Sequence, residues 1–188
     1  MRAGLVRAFV AIEIPVDVVD PLTQAQRELE ATGADIKLVE RENLHLNLKF
    51  LGELSDADAS EAKSRLGRLA LKSAEVAVRG VGAFPTIARP RVVWAGIAPE
   101  DEPLVIPIAR GVISALEGIG ERDDRPFRAH ITLARVRSNR NVPQLTEVLH
   151  RFAGMEFGKV GLREIKLKSS TLTPSGPVYR DEGVYHLT

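Results

Sequence analysis

A histidine-centred segment occurs twice in this chain, as His45-Leu46-Asn47-Leu48 and as His130-Ile131-Thr132-Leu133, and these two segments hold two of its four histidines. An extended strand sends successive side chains to opposite faces. His45 and Asn47 therefore share one face, as do His130 and Thr132, while Leu46, Leu48, Ile131 and Leu133 enter a core behind them. The order of elements around each segment repeats as well: histidine strand, helix, strand, proline-marked loop, strand. Pro85 follows His45 at nearly the distance at which Pro174 follows His130. Two such halves related by a pseudo-twofold axis would bring the two histidines face to face across one cleft.

Local patterns fill in the elements. Leu5 to Ile14 is rich in β-branched and aromatic residues and is stopped by Pro15, which reads as a strand. Val18, Leu22, Ala25 and Leu29 recur at helical spacing, and Gly33 stands where a helix would end. Ile36–Val39 and His45–Leu51 read as strands around the polar turn 40–43. Ser55 with Asp58 forms a capping pattern before a helix carrying Ala62, Leu66, Leu69 and Ala70. Glu75–Phe84 and Arg91–Ile97 read as paired strands. Leu104, Ile108, Val112, Ala115 and Ile119 mark a helix whose regular part is expected to follow Pro107. After the charged loop 120–128, the His130–Val136 strand leads to a helix with Leu145, Val148, Leu149 and Phe152, and Pro143 suits its first turn. Phe157–Lys168 reads as one strand and Val178–Leu187 as the last. Alternating strands with few long parallel crossovers predict an α+β fold. We expect two pseudo-symmetric lobes with antiparallel sheets flanked by helices, residues 1–188 forming one two-lobed domain with the active site between the lobes.

Composition narrows the chemistry. The absence of cysteine removes disulfides, thiol nucleophiles and cysteine-ligated metals. Net charge is +1, so attraction to phosphates must come from a local patch. Arg122, Arg125, Arg128, Arg135, Arg137 and Arg140 supply one around the second histidine segment, partly offset by Glu121, Asp123 and Asp124. Aromatic residues make up only 5% of the chain, too few for a long base-stacking platform. The first apolar run is too short for a signal peptide or membrane span, which sets a cytoplasmic expectation with no membrane partner.

Two facing imidazoles suit proton transfer in both directions, because histidine populates acid and base forms near neutrality. One neutral ring can take a proton from water while an imidazolium gives one to a leaving oxygen. A small polar donor beside each ring suits a phosphoryl group, whose several oxygens need partners at once. Two histidines are too few to hold a metal, and neither a His-Glu-x-x-His pattern nor a Gly-x-Ser-x-Gly elbow is present. His150 and His186 read as structural or exposed.

The stretch from Glu42 to Glu53, ENLHLNLKFLGE, together with Ala129-His130-Ile131-Thr132-Leu133-Ala134-Arg135, resembles the 2H phosphoesterases with their paired His-x-Thr-x motifs. Within them it is most similar to the RNA 2′,3′-cyclic phosphodiesterases, also called 2′-5′ RNA ligases. The resemblance runs from Arg7-Ala8-Phe9-Val10-Ala11-Ile12 to Leu172-Thr173-Pro174, essentially the whole chain. It implies His45 and His130 as the catalytic pair, with Asn47, Thr132 and Arg135 binding substrate. It also implies RNA ends or nucleotides bearing a 2′,3′-cyclic phosphate as partners, no cofactor or metal, no obligate protein partner and a monomer. Metal-independent hydrolysis to a 2′-phosphate is the implied reaction. The alternatives are 2′-5′ RNA ligation at the same site and a module that binds RNA ends without turning them over. Asn47 departs from the usual threonine but keeps a donor. Arg135, five residues after His130, falls on the leucine face by strand parity, so its assignment requires a bulge or the strand's end. Phe50 occupies the equivalent place after His45, where it would flank a base or join the core.

Overall fold

The computed structural model describes residues 6–122, 126–174 and 176–188. Leu5, at the expected start of the first strand, and Arg125, Asp123 and Asp124 of the charged loop lie outside them. Nine strands and four helices follow one another as β1 (Val6–Glu13), α1 (Val16–Ala31), β2 (Ile36–Leu38), β3 (His45–Leu54), α2 (Asp56–Leu66), β4 (Ala74–Thr86), β5 (Arg89–Ile97), α3 (Glu102–Ala115), β6 (His130–Val136), α4 (Val142–Arg151), β7 (Glu156–Leu162), β8 (Glu164–Thr173) and β9 (Gly176–His186). All strands join one antiparallel sheet in the order β7-β4-β5-β6-β3-β1-β8-β9, with β2 paired to β6.

The sheet is two four-stranded units meeting at a narrow seam. Strands β3 and β6 share a single paired couple, Leu46 with Ile131. Beyond it they part, and β2 takes over the same edge of β6 from Ala134 to Val136. One lobe, called A here, is β3-β1-β8-β9, and the other, lobe B, is β6-β5-β4-β7. Helix α2 packs against lobe A, α1 and α4 pack against lobe B, and α3 touches both, against β3 and β4. They cover the faces on which alternate residues, such as Val10, Ile12, Leu46, Ile131 and Leu133, are buried. Removing that apolar surface from water is the main driving force for closing each layer.

The lobes are not consecutive halves of the chain. The β4–β5 hairpin follows the His45 strand in sequence but lies in the His130 sheet, and β8–β9 lies in the His45 sheet. Each half therefore hands its second hairpin to the other lobe. The segment expected as one strand from Phe157 to Lys168 is the pivot of that exchange. It breaks at Arg163 into β7, an edge of lobe B, and β8, an inner strand of lobe A. Both pieces are β-forming, so local pattern alone merged them.

Two helix boundaries also differ from expectation. Helix α3 begins at Glu102, with Pro103 in its first turn and Pro107 inside it. The missing Pro107 N–H removes one helical bond near the start, and burial of Val105, Ile108, Ala109 and Val112 offsets the loss. Helix α2 stops at Leu66, so Leu69 packs from the following turn. Its start is as read: Ser55 Oγ accepts the Asp58 N–H at 3.1 Å and donates to the Asp58 carboxylate at 2.7 Å.

Candidate active site

The seam aligns the two motifs. With Leu46 opposite Ile131 on the buried face, His45, Asn47, His130 and Thr132 stand on the other face, and all four are half-buried. The two histidines stand on neighbouring strands at either side of that couple, near enough for the charge of one to bear on the other.

Each ring is oriented by the same short tether. His45 Nδ1 lies 2.7 Å from the Asn43 carbonyl oxygen, and His130 Nδ1 lies 2.7 Å from that of Arg128. A carbonyl only accepts, so Nδ1 carries the proton in both rings. Nε2 is then the ring nitrogen that carries no proton in the neutral form and can exchange one with a ligand. Asn43 is itself held, its side-chain amide donating to the Pro177 carbonyl at 3.1 Å. The start of β9 thus braces the carbonyl that orients His45.

Aromatic rings pack around both imidazoles. Phe9 lies 4.9 Å from the His45 ring, and Tyr179 meets it edge-on at 5.7 Å. In lobe B, Phe84 meets His130 edge-on at 5.1 Å and Trp94 packs on Phe84. Burial pushes His45 below its ordinary value of 6.5; the Asn43 carbonyl opposes this, while Lys168 and His130 reinforce it and Glu13 works weakly against it. Burial also raises the Tyr179 hydroxyl, aided by Glu40 and opposed by Arg135 and Arg7.

Arg135 reaches the cleft by the device its assignment required. Between Thr132 and Ala134 the β5–β6 register shifts, so Leu133 is an extra residue in β6. One inserted residue reverses the parity of everything after it. Leu133 and Ala134 are both buried, and Arg135 emerges exposed. Strand β3 carries the same irregularity at Leu48, which turns Phe50 to the cleft side with the Arg7 guanidinium 5.1 Å above its ring. Phe50 is therefore a cleft residue, not a core one.

Gln26 is a functional position the sequence reading passed over. It is buried in α1, and its amide donates to the Val39 carbonyl at 2.8 Å and to that of Leu133, the bulge residue, at 2.9 Å. The bulge that aims Arg135 is thus pinned from behind. A polar residue inside the apolar stripe of Leu22, Ala25 and Leu29 was its sequence signal. Among the other arginines, Arg122, Arg128, Arg137 and Arg140 are exposed. Arg128 lines, with Phe84, Trp94, Gly96 and His130, a cavity of about 320 Å³. Among the described residues, no group of three or more His, Asp or Glu side chains converges as a metal site, and no helix is long and apolar enough to cross a membrane.

One family model, described as LigT-like phosphoesterase, matches this chain twice, over residues 12–94 and 97–179. Each match contains one of the two histidine motifs at the same distance from its start. The chain belongs to the LigT-like phosphoesterase family. More particularly, it is 35% identical over 179 residues to a protein of Archaeoglobus fulgidus named RNA 2′,3′-cyclic phosphodiesterase, covering 95% of this chain and 99% of that one. An Aeropyrum pernix protein of the same name is 36% identical over 166 residues, 87% of this chain and 93% of its own. The fold matches that of E. coli LigT complexed with 3′-AMP at a TM-score of 0.81 and 24% identity, over 98% and 99% of the two chains.

Proposed function

We propose that this protein hydrolyses RNA 2′,3′-cyclic phosphate ends to 2′-phosphates by paired-histidine acid–base catalysis without a metal. The observation that carries this reading is the pair of imidazoles on one cleft face, each with Nδ1 tied to the carbonyl two residues back. Water attacks phosphorus while His130 Nε2 takes its proton, the P–O3′ bond breaks, and His45 gives its proton to the departing 3′ oxygen. The product holds a 2′-phosphate and a 3′-hydroxyl, and a proton returning from His130 to solvent and one reaching His45 reset the site. The Asn47 amide and Thr132 hydroxyl donate to the non-bridging oxygens, and Arg135 balances the charge that builds on them. The division of roles follows the family resemblance. Because burial holds His45 toward its neutral form, the substrate's negative charge is what loads the proton that His45 donates.

Names of the relatives support the substrate class, and the 3′-AMP of E. coli LigT suits a site that holds a nucleotide beside its phosphate. Within this reading the chain works as one two-lobed unit, supported by the continuity of the sheet through the β3–β6 seam, and acts as a cytoplasmic monomer. The decisive experiment incubates the protein with an oligonucleotide ending in a 2′,3′-cyclic phosphate, with and without chelator, and identifies the product end. A 2′-phosphate formed at full rate in chelator is expected, with a bell-shaped pH profile. Binding without turnover, or joining to an added RNA end in preference to hydrolysis, overturns it.

A further inference from the structure

The two histidines have matching tethers and motif partners but different surroundings. Glu13 stands across from His45 in the β1–β3 ladder, and Gly96 stands across from His130 in the β5–β6 ladder. The Glu13 carboxylate closes a ring of charges. One oxygen accepts from Lys166 at 2.6 Å and the other from Lys168 at 2.6 Å. Asp181 completes it, accepting from Lys166 at 2.9 Å and from Lys168 through its second oxygen. The ring ties β1, β8 and β9 together on the cleft face, and Lys168 is only 8% exposed.

Register and ring packing place this ring beside His45. Lys168 pairs in register with Phe9, whose ring packs against the His45 imidazole. His45 is opposite Glu13 in the ladder and its ring packs on Phe9, the residue in register with the Lys168 that Glu13 accepts from. Burial opposes charge on Glu13, Asp181 and Lys166, but their mutual hydrogen bonds outweigh it: both carboxyls are held below and the ammonium above their ordinary values. Glu13, Asp181 and Lys166 are therefore charged at neutral pH. The remaining titratable groups facing His45 are His130 of β6 and Tyr179 of β9.

We propose that Glu13, Lys168 and Asp181, closed into a ring with Lys166, are positioning residues for His45 that fix its ring and balance its charge, making two near-identical histidine motifs unequal. The inference rests on the paired-histidine reading above and concerns what distinguishes its two members. The ring acts through opposed charges: Lys168 disfavours the imidazolium and Glu13 favours it. Removing one sign leaves the other uncompensated in a poorly solvated place, where a single charge a few ångströms away moves a titration by about half a pH unit or more.

Histidine titrations by NMR on the full chain test this directly, in Lys168→Met, Glu13→Gln and the charge-conserving Lys168→Arg. The His45 midpoint is expected to rise by about half a pH unit or more in Lys168→Met, to fall by a similar amount in Glu13→Gln, and to return toward wild type in Lys168→Arg. The His130 midpoint, as internal reference, should move less in each. The limb of the kcat/KM profile that belongs to His45 should move with its midpoint. A merely structural brace would lower Tm in both neutralising variants and shift neither midpoint in opposite directions. Unmoved midpoints, or shifts of the same sign, overturn the proposal. Should Lys168→Met fail to fold, the fall in Glu13→Gln decides alone. Failure of the underlying reading shows differently, as near wild-type turnover in His45→Ala.

Discussion

Lobes A and B present the same array to the cleft and build it from different materials. In both, a histidine is tethered through Nδ1 to the carbonyl two residues earlier, and a small polar residue follows on the same face. In both, a bulged leucine reverses the strand's parity just after the motif, and in β3 a second shift at Leu51 restores it. After the bulge, lobe B presents a cation, Arg135, where lobe A presents an aromatic ring, Phe50, beneath Arg7. Behind the histidine, lobe A sets a ring of two lysines and two carboxylates; lobe B has Gly96 and the rings of Phe84 and Trp94. On the proposed reading, duplication supplies the pair of proton-transfer groups, and divergence lets one lobe offer a cation and the other an aromatic ring to the ligand.

The shared elements should carry the largest effects. Alanine at His45 or at His130 is expected to lower turnover of a cyclic-phosphate-ended oligonucleotide by about 10²–10⁴-fold each, the range for one acid–base group. Single-turnover rates on folded protein check this, and a variant that keeps near wild-type rate would show that its lobe is dispensable for the chemistry.

The donors come next. Thr132→Ala and Asn47→Ala should each cost about 1.5–3 kcal/mol in transition-state stabilisation, as should Arg135→Ala, since each removes a hydrogen bond to an anion. Asn47→Thr should be nearly neutral, because a threonine restores the donor that lobe B already uses. Only Arg135→Ala should also flatten the salt dependence of kcat/KM. If Asn47→Ala lowered Tm while leaving kcat/KM intact, Asn47 would belong to its sheet rather than to the phosphate.

A smaller effect separates the two bulges. Gln26→Leu removes the donor shared by the Val39 and Leu133 carbonyls and should destabilise the fold by about 1–3 kcal/mol. It should also weaken kcat/KM in the manner of Arg135→Ala, since Arg135 is aimed by that bulge. Loss of stability with an unchanged salt dependence would uncouple the bulge from the arginine.

The smallest concerns acid. Glu13 and Asp181 have folded-state values below their ordinary 4.5 and 3.8, so their contribution is full above those values and is lost as pH falls through the depressed ones. His45, held below 6.5, likewise favours the folded state above that value and penalises it as the ring is forced to charge. Amide exchange at falling pH should therefore open β8–β9 before β4–β5. The reverse order would show that the charged ring contributes no stability to lobe A.

Much of this was legible in the residues because it depends on local period. Alternation in HLNL and HITL put each histidine with its donor on one face, and the repeat of element order announced two lobes and a cleft. Apolar spacing and prolines located most strands and helices, since a strand with one buried face admits one parity only. Arg135 shows where local period stops: its parity was wrong by one residue, and whether a bulge intervened depended on Gln26 reaching Leu133 from a helix more than a hundred positions earlier. The strand break at Arg163 and the exchange of hairpins between lobes were invisible for the same reason, because β7 and β8 are equally good strands wherever they pair. The amino-acid sequence by itself determined the two motifs, their shared face and the class of chemistry. Only the tertiary structure decided which hairpin backs which histidine, and so placed Glu13 and Lys168 beside one ring and a glycine beside the other. Such long-range pairings are selected by burial and charge compensation across the whole fold, which no window of neighbouring residues contains.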